Sequence, residues 1–209
     1  MDTRSGYILI AEDDPDILRL LNTTLTFRGY RVLTAPNGKD ALELVRKELP
    51  ALIIADIMMP KLDGFGLVHR LRINPETRSI PVIFITATYV TAEDKEFALS
   101  IGVTRFIQKP VDLEMLLKLI AELMEQDATP AMEPLKEYSF YEGYRTRLEA
   151  KLGQKNKEIA RDELLLKTRS DQDDQFLRAS LRHSITERDE LKLLLEQVHK
   201  HLAAFPKPQ

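Results

Sequence analysis

From residue 7 to about residue 125, short runs of β-branched residues alternate with amphipathic stretches. Tyr7-Ile8-Leu9-Ile10-Ala11 is almost wholly apolar, which suits a parallel strand buried on both faces. Pro15 then opens a helical pattern carried by Ile17, Leu18, Leu20, Leu21 and Leu25, and Gly29 closes it. The alternation continues with strands over 31–35, 51–55, 81–85 and 104–107. Helices are expected over 38–48, 64–72, 92–100 and 113–125, with Asp112 as N-cap of the last. Five strand–helix repeats predict parallel strands joined by helical crossovers, hence a doubly wound α/β domain. Ligands of such sheets sit beyond the carboxyl ends of the strands.

After Gln126 the pattern changes. Residues 127–135 contain prolines at 130 and 134 and read as a linker between a domain over 1–126 and a helical extension over 136–205. The extension has no strand signal, and two long helices are expected, over 136–168 and 172–204. The second carries a four-three seam of Leu177, Leu181, Ser184, Arg188, Leu191, Leu195, Val198, Leu202 and Phe205. The first carries a weaker one, with Tyr138, Tyr141, Arg145, Leu148, Leu152, Lys155, Ile159, Asp162 and Leu166. Ser170 and Asp173 fit a capping box in the turn between them. Two arrangements satisfy these seams. One is an antiparallel hairpin, in which Lys155 faces Ser184 and Arg188 while Asp162 faces Arg178. The other is a parallel coiled coil with a second copy, which makes a homodimer one expected state. A two-helix hairpin buries little, so a further contact is expected, with the aromatic cluster Tyr138, Phe140, Tyr141 and Tyr144 as its surface.

Composition narrows the function classes. With no cysteine, disulfides, thiolate metal sites and a cysteine nucleophile are excluded. No apolar run reaches the ~18 residues of a membrane span. No secretory leader is legible in Met1–Ser5, so the expected compartment is the cytoplasm. Residues 1–129 hold 15 Lys+Arg against 19 Asp+Glu, and residues 130–209 hold 15 against 14. Neither part is the basic body of a nucleic-acid binder.

The chemistry lies at the predicted strand ends. The first strand runs into Glu12-Asp13-Asp14, the third into Asp56, the fourth into Thr86 and the fifth toward Lys109. Carboxylates gathered this closely repel one another unless a cation neutralises them. Mg²⁺ suits the task, because it takes oxygen ligands, one or two carboxylates and phosphate oxygens. Asp56 is the candidate nucleophile, forming an aspartyl phosphate. The expected metal ligands are Asp13, Asp56 and the backbone carbonyl of Met58, with Glu12 acting through a coordinated water. Lys109 pairs with Asp56 and then with the phosphoryl group, while Thr86 offers its hydroxyl. Asp14 is read as a helix initiator beside Pro15, and Asp63 as support for the turn at Gly64.

These motifs resemble the receiver domain of two-component response regulators, the CheY-like family. Glu12-Asp13, the run from Asp56 through Met58, Met59 and Pro60 to Gly64, Thr86-Ala87 and Lys109-Pro110 fall in that family's order and spacing. The resemblance covers about residues 6–126. It implies a flavodoxin-like strand order of 2-1-3-4-5, phosphorylation by a sensor histidine kinase and a cis peptide before Pro110. It also implies a switch in which Thr86 moves toward the phosphoryl group and Phe106 turns inward. The surface that changes would be the fourth helix, fifth strand and fifth helix. Met58 and Thr88 stand where the family tunes phosphoryl lifetime. The pair begins with Glu12 where aspartate is commoner, and phenylalanine stands at 106 where many members have tyrosine.

No effector signature follows the linker, so the expected output is protein association through the extension with a downstream protein that the sequence does not name. Two alternatives belong to other classes. An antitermination-type regulator would bind RNA, against which the near-neutral extension argues. A phosphorelay element would use His183, whose surroundings lack the acidic neighbour common beside such histidines. His69, His199 and His201 form no metal-ligand spacing.

Overall fold

A computed structural model of the chain describes residues 6–86, 91–125, 135–168 and 174–205. Thr88, linker residues 127–134 and the Ser170–Asp173 turn lie outside the described residues. The chain divides into two compact units, Met1–Leu135 and Lys136–Gln209.

The first unit alternates strand and helix: β1 (Ile8–Ala11), α1 (Pro15–Phe27), β2 (Val32–Ala35), α2 (Gly38–Lys47), β3 (Leu52–Ala55), α3 (Gly64–Ile73), β4 (Val82–Thr86), α4 (Ala92–Ser100), β5 (Arg105–Gln108) and α5 (Leu113–Glu125). All pairings are parallel and the order is β2-β1-β3-β4-β5, a flavodoxin-like sheet. Alternation along the strands sends Ile8, Ile10, Leu52, Ile54, Ile83 and Ile85 into a core with α1 and α5. The intervening residues, among them Phe84, face the other side, where Phe84 meets Phe65 of α3 edge to face at 5.6 Å. β4 and β5 each lie one residue later than the periodicity predicts. Their register pairs Thr86 with Gln108, and Pro81 has no N–H to give the ladder.

Side-chain caps start the helices where the chain leaves the strands. Asp14 accepts from the Asp16 and Ile17 amides ahead of α1, Asn37 from Asp40 ahead of α2, and Asp63 from Gly66 ahead of α3. Thr91 and Asp94 form a capping box on α4, and Asp112 accepts from the Glu114 and Met115 amides of α5. These caps lie on the side of the sheet where the strands end, so they also shape the rim of the site.

The second unit is α6 (Glu137–Thr168) packed on α7 (Asp174–Ala203). Tyr138 meets Phe205, Tyr141 stacks on His201 and Lys155 pairs with Glu187, so partners climb one helix as they descend the other. Between the two arrangements open to the seams, the structure shows the intrachain antiparallel hairpin. Every seam residue named on either helix is buried or half-buried. One detail departs from the sequence reading: Lys155 pairs with Glu187, one position from the seam residue Arg188. Of the aromatic cluster, Phe140 and Tyr144 are buried, Tyr138 meets Phe205 beyond the end of α7, and Tyr141 stacks on His201 of α7.

Candidate functional site

The sheet delivers the site residues through backbone bonds that extend its ladder by one position. The Glu12 amide donates to the Ala35 carbonyl at 3.1 Å, and the Asp56 amide to the Ala11 carbonyl at 2.9 Å. The Lys109 amide donates to the Thr86 carbonyl at 2.9 Å. Residues far apart in sequence therefore leave neighbouring strands at one level. Directly after, the peptide between Lys109 and Pro110 is cis.

Glu12, Asp13 and Asp56 each offer a carboxylate oxygen within 4.8 Å of the others. Glu12 is 2% exposed and Asp56 8%, whereas Asp13 is open to solvent. The Lys109 ammonium lies between two of them, 2.8 Å from Glu12 Oε2 and 3.2 Å from Asp56 Oδ2. The second Asp56 oxygen accepts from the Ile57 amide at 2.6 Å. Thr86 is fully buried at the end of β4, and Met58 is half-buried on the loop after Asp56.

The electrostatics follow from this crowding. Burial, reinforced by Asp56 and opposed by Lys109, pushes the Glu12 carboxyl up to about 7. Burial and Asp56 also raise Asp13. Burial alone would lower Lys109, but Asp56 and Glu12 together lift it. Asp14 is held below its usual range by the Ile17 and Asp16 amides, as suits a helix cap. One ammonium against three carboxylates leaves an excess of negative charge on hard oxygen donors, one of them facing solvent. This donor set fits a small divalent cation such as Mg²⁺.

The remaining candidates fall in different places. Phe106 is half-buried on β5, 6.4 Å from the Phe84 ring, outside the carboxylate group. Asp63 is buried at the head of α3, where it accepts from the Gly66 amide at 2.8 Å. The His183 side chain is three-quarters exposed on α7, 3.6 Å from Glu187 and on a solvated helix face.

Sequence reading missed two features. Lys109 bonds Glu12 more closely than Asp56, which spacing alone does not rank. The loop over 57–63 is also held from α2, where the Gly38 amide donates to the Leu62 carbonyl at 3.0 Å. The one trace of this in the sequence is the Asn37-Gly38 pair at the head of a helix.

Comparison with known proteins agrees with this geometry. The response regulator receiver domain family matches residues 8–121, ahead of the helical unit. A protein of Leptolyngbya boryana named "Uncharacterized 14.6 kDa protein in sodA1 3'region" is 42% identical over 115 residues, covering 55% of this chain and 87% of that protein. The "Probable transcriptional regulator ycf27" of Porphyra purpurea is 41% identical over 110 residues, covering 53% of this chain. The chain spans only 44% of that regulator's length. Among solved structures, the chemotaxis protein CheY4 of Vibrio cholerae superposes with a TM-score of 0.53 at 30% identity, covering 56% of this chain and 98% of that one.

Proposed function

Because the chain belongs to the response regulator receiver domain family, a family of two-component signalling, we propose that it accepts a phosphoryl group on Asp56 from a sensor histidine kinase and signals through its helical unit. The observation that carries this reading is the meeting of Glu12, Asp13 and Asp56 at the strand ends, with the Lys109 ammonium paired to Glu12 and Asp56.

An Asp56 carboxylate oxygen attacks phosphorus in line with the leaving group, the imidazole nitrogen of a phosphohistidine. A P–O bond forms, the P–N bond breaks, and the departing imidazole takes a proton. Little covalent help is needed, so positioning and charge neutralisation carry the step. The Ile57 amide fixes one Asp56 oxygen and Lys109 the other, and this orients the carboxylate. As charge builds on the phosphoryl oxygens, Lys109 turns toward one of them and Thr86 offers its hydroxyl to another. Asp13, Asp56 and the Met58 carbonyl would hold Mg²⁺, with Glu12 behind a coordinated water. When bound, the ion neutralises phosphoryl oxygens and the carboxylates that face them.

For output, the charged state of the site favours one arrangement of Thr86, Phe106 and the α4–β5–α5 face, and this changes what the helical unit associates with. In this reading the α6–α7 hairpin is the association module, because the receiver match ends at residue 121, ahead of it. Among the described residues no helix is long and apolar enough to cross a membrane.

Acetyl phosphate with Mg²⁺ tests the site on the full chain. The parent gains one phosphoryl group by mass, and Asp56→Asn gains none. Labelling that persists in Asp56→Asn places the nucleophile elsewhere. Beryllofluoride with Mg²⁺ tests the output, with a change expected in molar mass by light scattering or in amide exchange of α6 and α7.

A further inference from the structure

We infer that Gly38 is a positioning residue for the loop that follows Asp56: its missing side chain lets the Leu62 carbonyl approach the head of α2, and that contact sets where the Met58 carbonyl stands. The inference rests on the proposed metal role of that loop.

The loop over 57–63 must reverse between the end of β3 and the start of α3, and it is held at both ends. At its root the Gly64 amide donates to the Ile57 carbonyl at 2.9 Å, and a Cβ on Gly64 would stand 2.5 Å from the Asp56 carbonyl oxygen. At its far end the Gly38 amide donates to the Leu62 carbonyl. A Cβ on Gly38 would stand 2.5 Å from that oxygen and 3.2 Å from its carbon. Both obstacles are backbone atoms, so no rotamer change relieves them. Gly38 is not among the positive-φ residues, so glycine is needed there for space and not for backbone freedom.

Neighbouring groups join the same contact. Asn37, buried at the head of α2, accepts from the Asp40 amide at 2.9 Å and donates to the Asp40 carboxylate at 2.8 Å. That carboxylate lies 3.8 Å from the Lys61 ammonium. Lys61 itself has a φ of 65°, and the Leu62 amide folds back to the Pro60 carbonyl at 2.7 Å. Met58 sits between the two holding points. With Gly64 fixed, a push on Leu62 is taken up by the residues between. Mg²⁺ demands near-ideal octahedral ligands, so a small displacement of one carbonyl matters.

The test is Gly38→Ala in the full chain, read three ways. Calorimetry should show Mg²⁺ binding weakened about tenfold, as for other supports of metal ligands. Without metal, amides of 57–62 should exchange faster. Acetyl-phosphate labelling should need more Mg²⁺ and recover at saturation. Alanine favours helix over glycine, so α2 should keep its protection. Unchanged Mg²⁺ affinity and unchanged loop exchange overturn the inference, whatever happens to stability. A parent chain that neither binds Mg²⁺ nor labels overturns the reading of the site instead, and the metal-free exchange still decides whether Gly38 holds the loop. If Gly38→Ala does not fold, the parent chain decides instead: the Gly38 amide, held by the Leu62 carbonyl, should gain protection together with the amides of 57–62 when Mg²⁺ is added. A Gly38 amide whose exchange is independent of the loop overturns the inference.

Discussion

In the first unit, the buried polar groups that build the site stand at the ends of strands, Glu12, Asp56 and Thr86, while others lie at helix heads or, as His69 and Arg72, within α3. In the second they stand mid-helix, in the seam between α6 and α7: Asp162 and Ser184. The surroundings differ as well. The sheet supplies a core whose three central strands, β1, β3 and β4, are sealed, whereas the described buried apolar residues of the hairpin are Phe140, Tyr144, Leu148, Ile159, Leu191 and Val198. A deep core can carry the cost of gathering like charges at one rim, where chemistry needs them. A shallow seam has no such reserve, and its polar residues instead restrict which partner positions can face each other.

The largest effect that separates the units is cavity formation. Ile54→Ala opens a hole among sealed neighbours and should cost about 4 kcal/mol. Leu191→Ala, in a two-helix seam that can close up, should cost about 2 kcal/mol. Native-state amide exchange reads both. Ile54→Ala should lower protection across the sheet, and Leu191→Ala only in α6 and α7. Equal losses would mean that the hairpin is packed as tightly as the sheet.

Next comes the ammonium. Lys109→Met leaves Glu12 and Asp56 buried without their shared cation and should destabilise the metal-free chain by about 3 kcal/mol at pH 8. The cost should shrink at pH 5, where Glu12 can hold a proton instead. Denaturation at the two pH values checks this, and a pH-independent cost would separate Lys109 from the carboxylates energetically.

The pH dependence of the unaltered chain should be smaller. The folded state holds the Glu12 proton up to about 7, against an ordinary 4.5. Between those values the native state binds more protons than the unfolded one, so stability falls as pH rises, by on the order of 2 kcal/mol. Raised Asp13 acts in the same direction near its own range, while lowered Asp14 acts oppositely in acid. Mg²⁺ should restore the loss at pH 8, by about 2.7 kcal/mol at a hundred times its dissociation constant. A metal-free melting temperature that rises from pH 5 to pH 8 would remove Glu12 as the source.

Much of this was readable from residue order. The apolar runs ending at Ala11 and Ala55 place Glu12, Asp13 and Asp56 at one rim, because parallel pairing lines up the ends of neighbouring strands. Residues 15, 29 and 112 mark helix boundaries through local chemistry that needs no tertiary information. What was not readable lies between elements. The Gly38–Leu62 contact joins the head of α2 to the loop after β3, whose separation depends on how α2 packs, and the order of Lys109's two partners depends on fractions of an ångström. The seams were legible in phase, but Lys155 reaches past Arg188 to Glu187, because a long side chain selects opposite charge among the neighbours within its reach.

That choice gives the smallest and sharpest test of the second unit. Lys155 lies 2.7 Å from Glu158 on its own helix and 2.9 Å from Glu187 on the other. Burial would lower the Lys155 ammonium, yet the two carboxylates raise it. The link to Glu187 is the part that depends on register, since a slip of one turn would remove it while keeping the link to Glu158. A double-mutant cycle of Lys155→Ala and Glu187→Ala isolates it and should give a coupling of about 0.5–1 kcal/mol, smaller in 1 M salt. His183 also lies near Glu187, so the cycle is repeated on a His183→Ala background. A coupling near zero would assign the register to the apolar seam alone, and the polar residues there would then be tolerated instead of selective.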